Sequence, residues 1–294
     1  MAALKWPARP TRERRHSHAS EILNIKIKIL TRGWEGKTIT MKMTGNTILI
    51  TGGGSGIGRG LAESFHSLGN QVIIAGRRKQ VLDETISRNA GMASLALDIE
   101  DPNAIRSFAS QAATRFPKLN VLINNAGIMR VENLQSQQDD LGDAESIVAT
   151  NLLGPIRLTA ALLPLLQKQA HSTIMNVSSG LAFVPMARTP AYCATKAAIH
   201  SYTQSLRFQL RASTTEVLEL IPPYVATALL NGASDPRAMP LDAYIAEVMQ
   251  ILKSQQSGKE ICVERVKSLR FAAESGKYEN FLQSFNEAME SDPH

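Results

Sequence analysis

The chain is poor in cysteine and aromatic residues, and over most of its length it has no excess of either charge. Only Cys193 and Cys262 are present, in neither a CxxC pair nor a Cys/His cluster, so no disulfide framework and no metal site are expected. Reduced thiols and a cytoplasmic location follow as the plain expectation. Aromatics make up 5% of the residues against 44% hydrophobic overall. Small and aliphatic side chains must therefore do the packing, as in a parallel sheet covered by helices. No uninterrupted apolar run approaches the roughly 18 residues needed to cross a bilayer. Residues 1–20 lack the apolar stretch of a secretory signal. They are rich in Arg and poor in acid, a faint match to an organelle-targeting peptide.

The net charge of +6 points to an acidic partner only until it is located. Of the 32 Lys/Arg and 26 Asp/Glu, nine and three fall in residues 1–40, which leaves 23 of each sign in the rest. The body of the chain thus carries no charge argument for nucleic acid or for a membrane surface.

What is present changes character near Met41. Residues 1–40 read as a basic, disordered extension, with Met41 or Met43 as an alternative start. The competing reading is a short edge strand at 24–30. Residues 41–294 read as one catalytic domain. Short apolar runs at 47–50, 72–75, 93–97, 121–123, 173–177, 216–220 and 261–263 predict strands. Helical periodicity fills the intervals at 57–68, 80–89, 103–115, 143–168 and 191–211. A break is expected in the fourth of these at Gly154-Pro155. Residues 224–256 read as a loop and a helix, and 267–287 as loosely helical. Strict alternation predicts an α/β fold, a doubly wound parallel sheet of about seven strands of the Rossmann kind. Ligands of such sheets bind beyond the carboxyl ends of the strands.

The run Thr51-Gly52-Gly53-Gly54-Ser55-Gly56-Ile57-Gly58 stands between the first strand and the first helix. Glycines there let a backbone approach a pyrophosphate, which the helix N-terminus then holds. Tyr192 and Lys196 lie four apart on one helix and share a face. A free tyrosine has a pKa near 10. A neighbouring ammonium is expected to lower it into a useful range. Ser179, 13 positions before Tyr192, is placed to hold an oxygen on which charge develops. Ser178 is the weaker candidate. In isolation each has a bland reading: a turn, a strand end, a helix surface.

Taken together these motifs resemble the short-chain dehydrogenase/reductase family. The spacing TGxxxGxG, the NNAG of Asn124-Asn125-Ala126-Gly127, the YxxxK of Tyr192 to Lys196, and Pro222-Pro223-Tyr224-Val225-Ala226-Thr227 in place of PGxVxT occur in the family's order. They cover about residues 44–265. Pro223 departs from the family glycine. The resemblance implies an oxidoreductase that moves a hydride between a nicotinamide and a carbonyl or alcohol. It implies Asn151, Ser179, Tyr192 and Lys196 as the catalytic group, with Asn151 holding a water linked to the lysine. The implied cofactor contacts are Thr51, Gly52, Ser55, Gly56, Ile57, Gly58, Asn125, Ala126, Gly127, Tyr192, Lys196, Pro222, Val225 and Thr227, with Asp98 and Ile99 at the adenine. It further implies a homodimer or homotetramer built through helices 143–168 and 191–211, where Ala194, Ala197 and Ala198 allow close approach.

After the second strand Gly76 stands where an acidic residue favours NAD. Arg77 can pair with a 2′-phosphate through its planar fork, so NADP(H) is the preferred cofactor and NAD(H) the alternative. Ser55 stands where many NADP-dependent relatives carry a basic residue. The Pro222-Pro223 pair and the segment 236–240 resemble the DltE-like group of bacterial oxidoreductases. Residues 223–256 are expected to form a lid, with Leu229, Leu230, Met239 and Tyr244 over a small-molecule substrate. Two rival readings remain: an epimerase or dehydratase of the same superfamily, and a catalytically silent NADP(H)-binding regulator. The glycine spacing argues against the first and the intact Ser, Tyr and Lys against the second. His200 reads as structural.

Overall fold

A computed structural model describes residues 41–136, 140–229, 235–254 and 258–290. The expected extension at 1–40 and the lid residue Leu230 lie outside them. Seven strands form one parallel sheet: β1 Thr47–Thr51, β2 Gln71–Gly76, β3 Ala93–Ala96, β4 Val121–Asn124, β5 Ser172–Val177, β6 Thr215–Ile221 and β7 Glu260–Cys262. Their order is β3-β2-β1-β4-β5-β6-β7. The chain therefore winds one way from β1 to β3 and the other way from β4 onward. The switch lies between β1 and β4, where Ile48, Leu49 and Ile50 pair with Val121, Leu122 and Ile123. In sheets of this kind that switch point is where a ligand crevice forms, at the strands' carboxyl ends.

Helices cover both faces: α1 Gly56–Ser67, α2 Lys79–Ser87, α3 Pro102–Arg115, α4 Gly142–Val148, α5 Gly154–Leu166, α6 Pro190–Gln209, α7 Leu241–Ser254, α8 Lys267–Arg270 and α9 Tyr278–Glu290. Alternate side chains of each strand enter opposite cores. Ile48 and Ile50 pack with Leu61 and Phe65 of α1 and with Val248 of α7, while Leu49 faces Ile105 of α3 and Leu158 of α5. Asp101 starts α3, accepting from Asn103 N at 2.7 Å ahead of Pro102.

Three sequence expectations change. The break at Gly154-Pro155 is absent. Instead α4 passes into α5 through a π-helical turn, Ala149–Leu153, so one extra residue is absorbed without interrupting the helix. Pro155, which has no N–H to donate, follows directly on this turn, where the i−4 ladder is already shifted and Gly154 N donates to Ala149 O. The run Gly142–Leu166 is consequently long and apolar enough to cross a membrane by length and composition. Its Leu158, Leu162 and Leu166 are buried in the core beside α3, the pattern of a core helix. The loosely helical stretch 267–287 resolves into α8 and α9 with turns between them.

Tyr244 is the third change. It is fully buried in the core with Ile245, Val248 and Met249 of α7. The apolar stripe of α7 carries it into the core on that face of the sheet. Within the rest of 223–256, Val225 bridges Met239, and Ala226 N and Met239 N donate to Met239 O and Tyr224 O at 2.8 Å each. Leu229 is exposed.

Candidate active site

The cradle forms because β1 ends in a threonine followed by residues without side chains. Thr51 Oγ1 accepts from Asn125 N and Ala126 N, each at 3.0 Å, and Asn125 Nδ2 donates to Thr51 O at 2.9 Å. The TGGGSGIG loop and the NNAG turn are thus laced across the switch point. A Cβ on Gly58 would stand 2.4 Å from both Asn125 Nδ2 and Gly52 O, so only glycine lets α1 start this close. Gly56, at φ 52°, turns the chain into α1, and the Thr227 methyl group lies against it. Ser55 is exposed at the mouth. The helix start, its free N–H groups and the absent side chains fit a pyrophosphate.

Further along the crevice, Asp98 is exposed and accepts from Glu100 N at 3.1 Å, while Ile99 is buried against Gly154. The helix cap is Asp101, not Asp98. Pro222 O accepts from Gly180 N at 2.9 Å, which ties the end of β6 to the serine turn. Arg77 is engaged: its Nη1 pairs with Glu100 Oε1 at 2.9 Å. Arg78 Nη2 donates to Ser55 Oγ at 3.4 Å, across the glycine loop. Sequence reasoning passed over Arg78; its contact with Ser55 sets Arg78 beside the cradle. Arg59 pairs with Glu63 on the surface of α1.

The catalytic candidates meet at the other end of the crevice. Ser179 Oγ accepts from Leu181 N at 3.1 Å and caps the 3₁₀ turn Gly180–Ala182. Tyr192 is buried in the first turns of α6. Burial pushes its hydroxyl up to about 12, and a hydrogen bond with Ser179 pulls the other way. The expected lowering by Lys196 does not show. The Lys196 ammonium stands 5.5 Å from the tyrosine ring centre and donates to Val177 O at 2.8 Å, so desolvation of the phenol prevails. Burial also lowers Lys196, to about 8, and the charge of Glu219 opposes that fall. Ser178 is directed elsewhere, donating to Glu219 Oε1 at 2.6 Å.

Asn151 owes its position to the π turn and is not a cap. Its Oδ1 accepts from Ile128 N and its Nδ2 donates to Ile128 O, both at 2.8 Å. A Cβ on Gly127 would lie 3.3 Å from Asn151 Oδ1 and 3.7 Å from Lys196 Nζ. The NNAG turn, the π turn and α6 therefore converge on one point. A groove of about 910 Å³ lies between residues 181–187, α6 and α9. It borders Cys193, Ala194 and Ala197, so α9 of the same chain stands across from the alanines expected to face another helix.

Residues 46–238 match the model of the short chain dehydrogenase family. Oxidoreductase DltE of Bacillus subtilis (strain 168) is 39% identical over 249 residues, which cover 84% of this chain and 98% of that protein. Sulfoacetaldehyde reductase 2 of Chromohalobacter salexigens is 31% identical over 184 residues, 61% of this chain and 73% of that one. Among solved structures, a short chain dehydrogenase from Burkholderia cenocepacia J2315 in complex with NADP has TM-score 0.72 at 22% identity, covering 83% of this chain and 98% of that one. A 3-ketoacyl-(acyl-carrier-protein) reductase from Brucella melitensis complexed with NADH has TM-score 0.67 at 26% identity, covering 74% and 96%. The chain belongs to the short-chain dehydrogenase/reductase family. It is an oxidoreductase of that family, near DltE in sequence.

Proposed function

We propose that the enzyme reduces a small-molecule carbonyl, or oxidises the matching alcohol, with NADP(H), and that Tyr192 is its acid/base. The observation that carries this reading is the meeting of Ser179, Tyr192, Lys196 and Asn151 at the end of a crevice whose other end is the glycine cradle. When bound there, a nicotinamide supplies or takes up the hydride. The backbone of 52–58 would hold the pyrophosphate on a loop that Thr51 and Asn125 fasten, with Asp98 and Ile99 toward the adenine. Val225 and Thr227, beside Pro222, border the nicotinamide end.

In reduction, the Tyr192 hydroxyl donates its proton to the substrate oxygen, which Ser179 Oγ–H holds by a hydrogen bond. The phenolate left behind is costly in so buried a place, as its raised pKa shows. Lys196, close to the ring, offsets that cost while it is an ammonium. Asn151 keeps the NNAG turn fixed against Lys196 through its two bonds to Ile128. Oxidation runs through the same groups in reverse. Arg77 and Arg78 favour NADP(H): their guanidinium groups, just after β2, would be available to a 2′-phosphate, Arg77 on leaving Glu100. The bonding of NADP and NADH by the two structural relatives above supports a nicotinamide without choosing between the two.

The test follows NADPH absorbance with a panel of aldehydes, ketones and diketones, for wild type and Tyr192→Phe. Wild type should turn over at least one substrate, and the variant should lose about 10²–10⁴-fold in kcat while still binding NADPH. Tight NADPH binding without any turnover by the wild type would overturn the reading.

A further inference from the structure

Glu219 is a carboxylate that the nicotinamide site does not use, yet it is fully buried. It stands on β6 in register with Asn176 of β5 and Glu260 of β7. Ser178 Oγ donates to its Oε1 at 2.6 Å, and His200 Nδ1 lies 3.0 and 2.9 Å from its two oxygens. Gln204 Nε2 is 3.0 Å from His200 Nε2. The His200 ring is thus held between Gln204 on one side and the Glu219 carboxylate on the other, and it fixes the carboxylate in place.

The other charged groups around Glu219 are engaged or differently aimed. Glu260 gives both oxygens to Arg270 of α8, at 2.6 and 3.2 Å. Arg207 of α6 donates to Val217 O and Lys259 O at 3.0 and 3.1 Å. Cys262 of β7 is a thiol that burial pushes up to about 11, so it stays neutral. Lys196 precedes His200 by four residues and shares its face of α6. Among the described residues it makes no direct ion pair; its ammonium donates to the Val177 carbonyl on the strand beside β6 and lies over the Tyr192 ring. Two buried groups of opposite sign thus stand one strand apart, with the Arg207 guanidinium a second cation in the field of Glu219.

We propose that Glu219, fixed by Ser178 and His200, is the buried counter-charge of Lys196 and a positioning residue that keeps its ammonium available to Tyr192. Its part in turnover rests on the reading of Tyr192 and Lys196 given above; its hold on Lys196 does not. Burial alone disfavours an ammonium, and a negative charge across one strand restores it. Glu219→Gln keeps the shape and removes the charge. Lys196 should then release its proton at lower pH, and reduction should fail at correspondingly lower pH on its alkaline side.

The experiment titrates the Lys196 side chain by NMR in full-length protein labelled with ¹³C-lysine, its signal assigned by Lys196→Arg. Glu219→Gln should lower the Lys196 midpoint by about one pH unit, the scale set by a nearby opposite charge, and Glu219→Asp should restore it. His200→Lys, at a half-buried position, sets a cation on Glu219 and should lower the midpoint too, so the proposal stays testable if Glu219→Gln does not fold. An unmoved midpoint in the folded charge-removing or charge-cancelling variant overturns the proposal. The titration needs no substrate. Failure of the wild type in the carbonyl panel would instead count against the proposed reaction.

Discussion

At the residue scale, burial outweighs local partnering more often than the sequence suggests. Tyr192 is the clearest example, since an ammonium four residues away was expected to set its acidity and desolvation does so instead. Glu216, near the start of β6, is another. Burial pushes its carboxyl up from 4.5 to about 7, against the lowering effect of the Met41 backbone and Thr173. One of its oxygens is buried with no hydrogen-bond partner. A carboxyl raised in the folded state favours folding fully below its unfolded value, and that contribution is lost as pH rises through about 7. Glu216→Gln should therefore gain on the wild type in thermal stability between pH 5 and pH 8. Parallel melting curves that keep the same separation at both pH values would contradict this.

Among elements, the lid helix makes a sharp prediction. The Tyr244 hydroxyl is buried in α7 without a hydrogen-bond partner, a costly state for a polar group. Tyr244→Phe should leave the melting temperature unchanged or raise it, and leave KM unchanged. A KM raised several-fold would return Tyr244 to the substrate surface. This residue also marks what the sequence could and could not tell. Short apolar runs located the seven strands because most of them are buried on both faces, and the 3.6 period located most helices because each buries one. The glycine run and YxxxK were legible because their chemistry lies within a few residues. Tyr244 was misplaced because the phase of a lone helix says which residues share a face, not which neighbour that face meets. The π turn was invisible because an extra residue in a helix leaves no composition signal; a candidate polar residue, Asn151, beside Gly154-Pro155 was the available hint. Glu219 and Arg78 were missed because their partners, Ser178, His200 and Ser55, come from distant segments brought together only by strand order.

For the whole molecule, the parallel sheet sets the strand ends of β1, β4, β5 and β6 side by side, so the proposed cofactor and catalytic groups share one frame. A ligand that binds this folded frame alone stabilises all of it. At a concentration 100 times its Kd such a ligand adds about 2.7 kcal/mol. NADPH should raise the melting temperature by several degrees, and NADH by less at equal concentration. Arg77→Ala combined with Arg78→Ala should erase the difference. An equal or larger shift with NADH in the wild type would assign the arginines to the surface instead.

The central claim is hydride transfer at this crevice, and isotope tracing tests it most directly. NADPH carrying deuterium at the transferred position of nicotinamide C4 is incubated with the enzyme and a carbonyl from the panel, and the alcohol is analysed by mass spectrometry. The account predicts one deuterium on the former carbonyl carbon, formed by the wild type and nearly absent with Tyr192→Phe. An alcohol without deuterium, or one formed equally well by Tyr192→Phe, would contradict it.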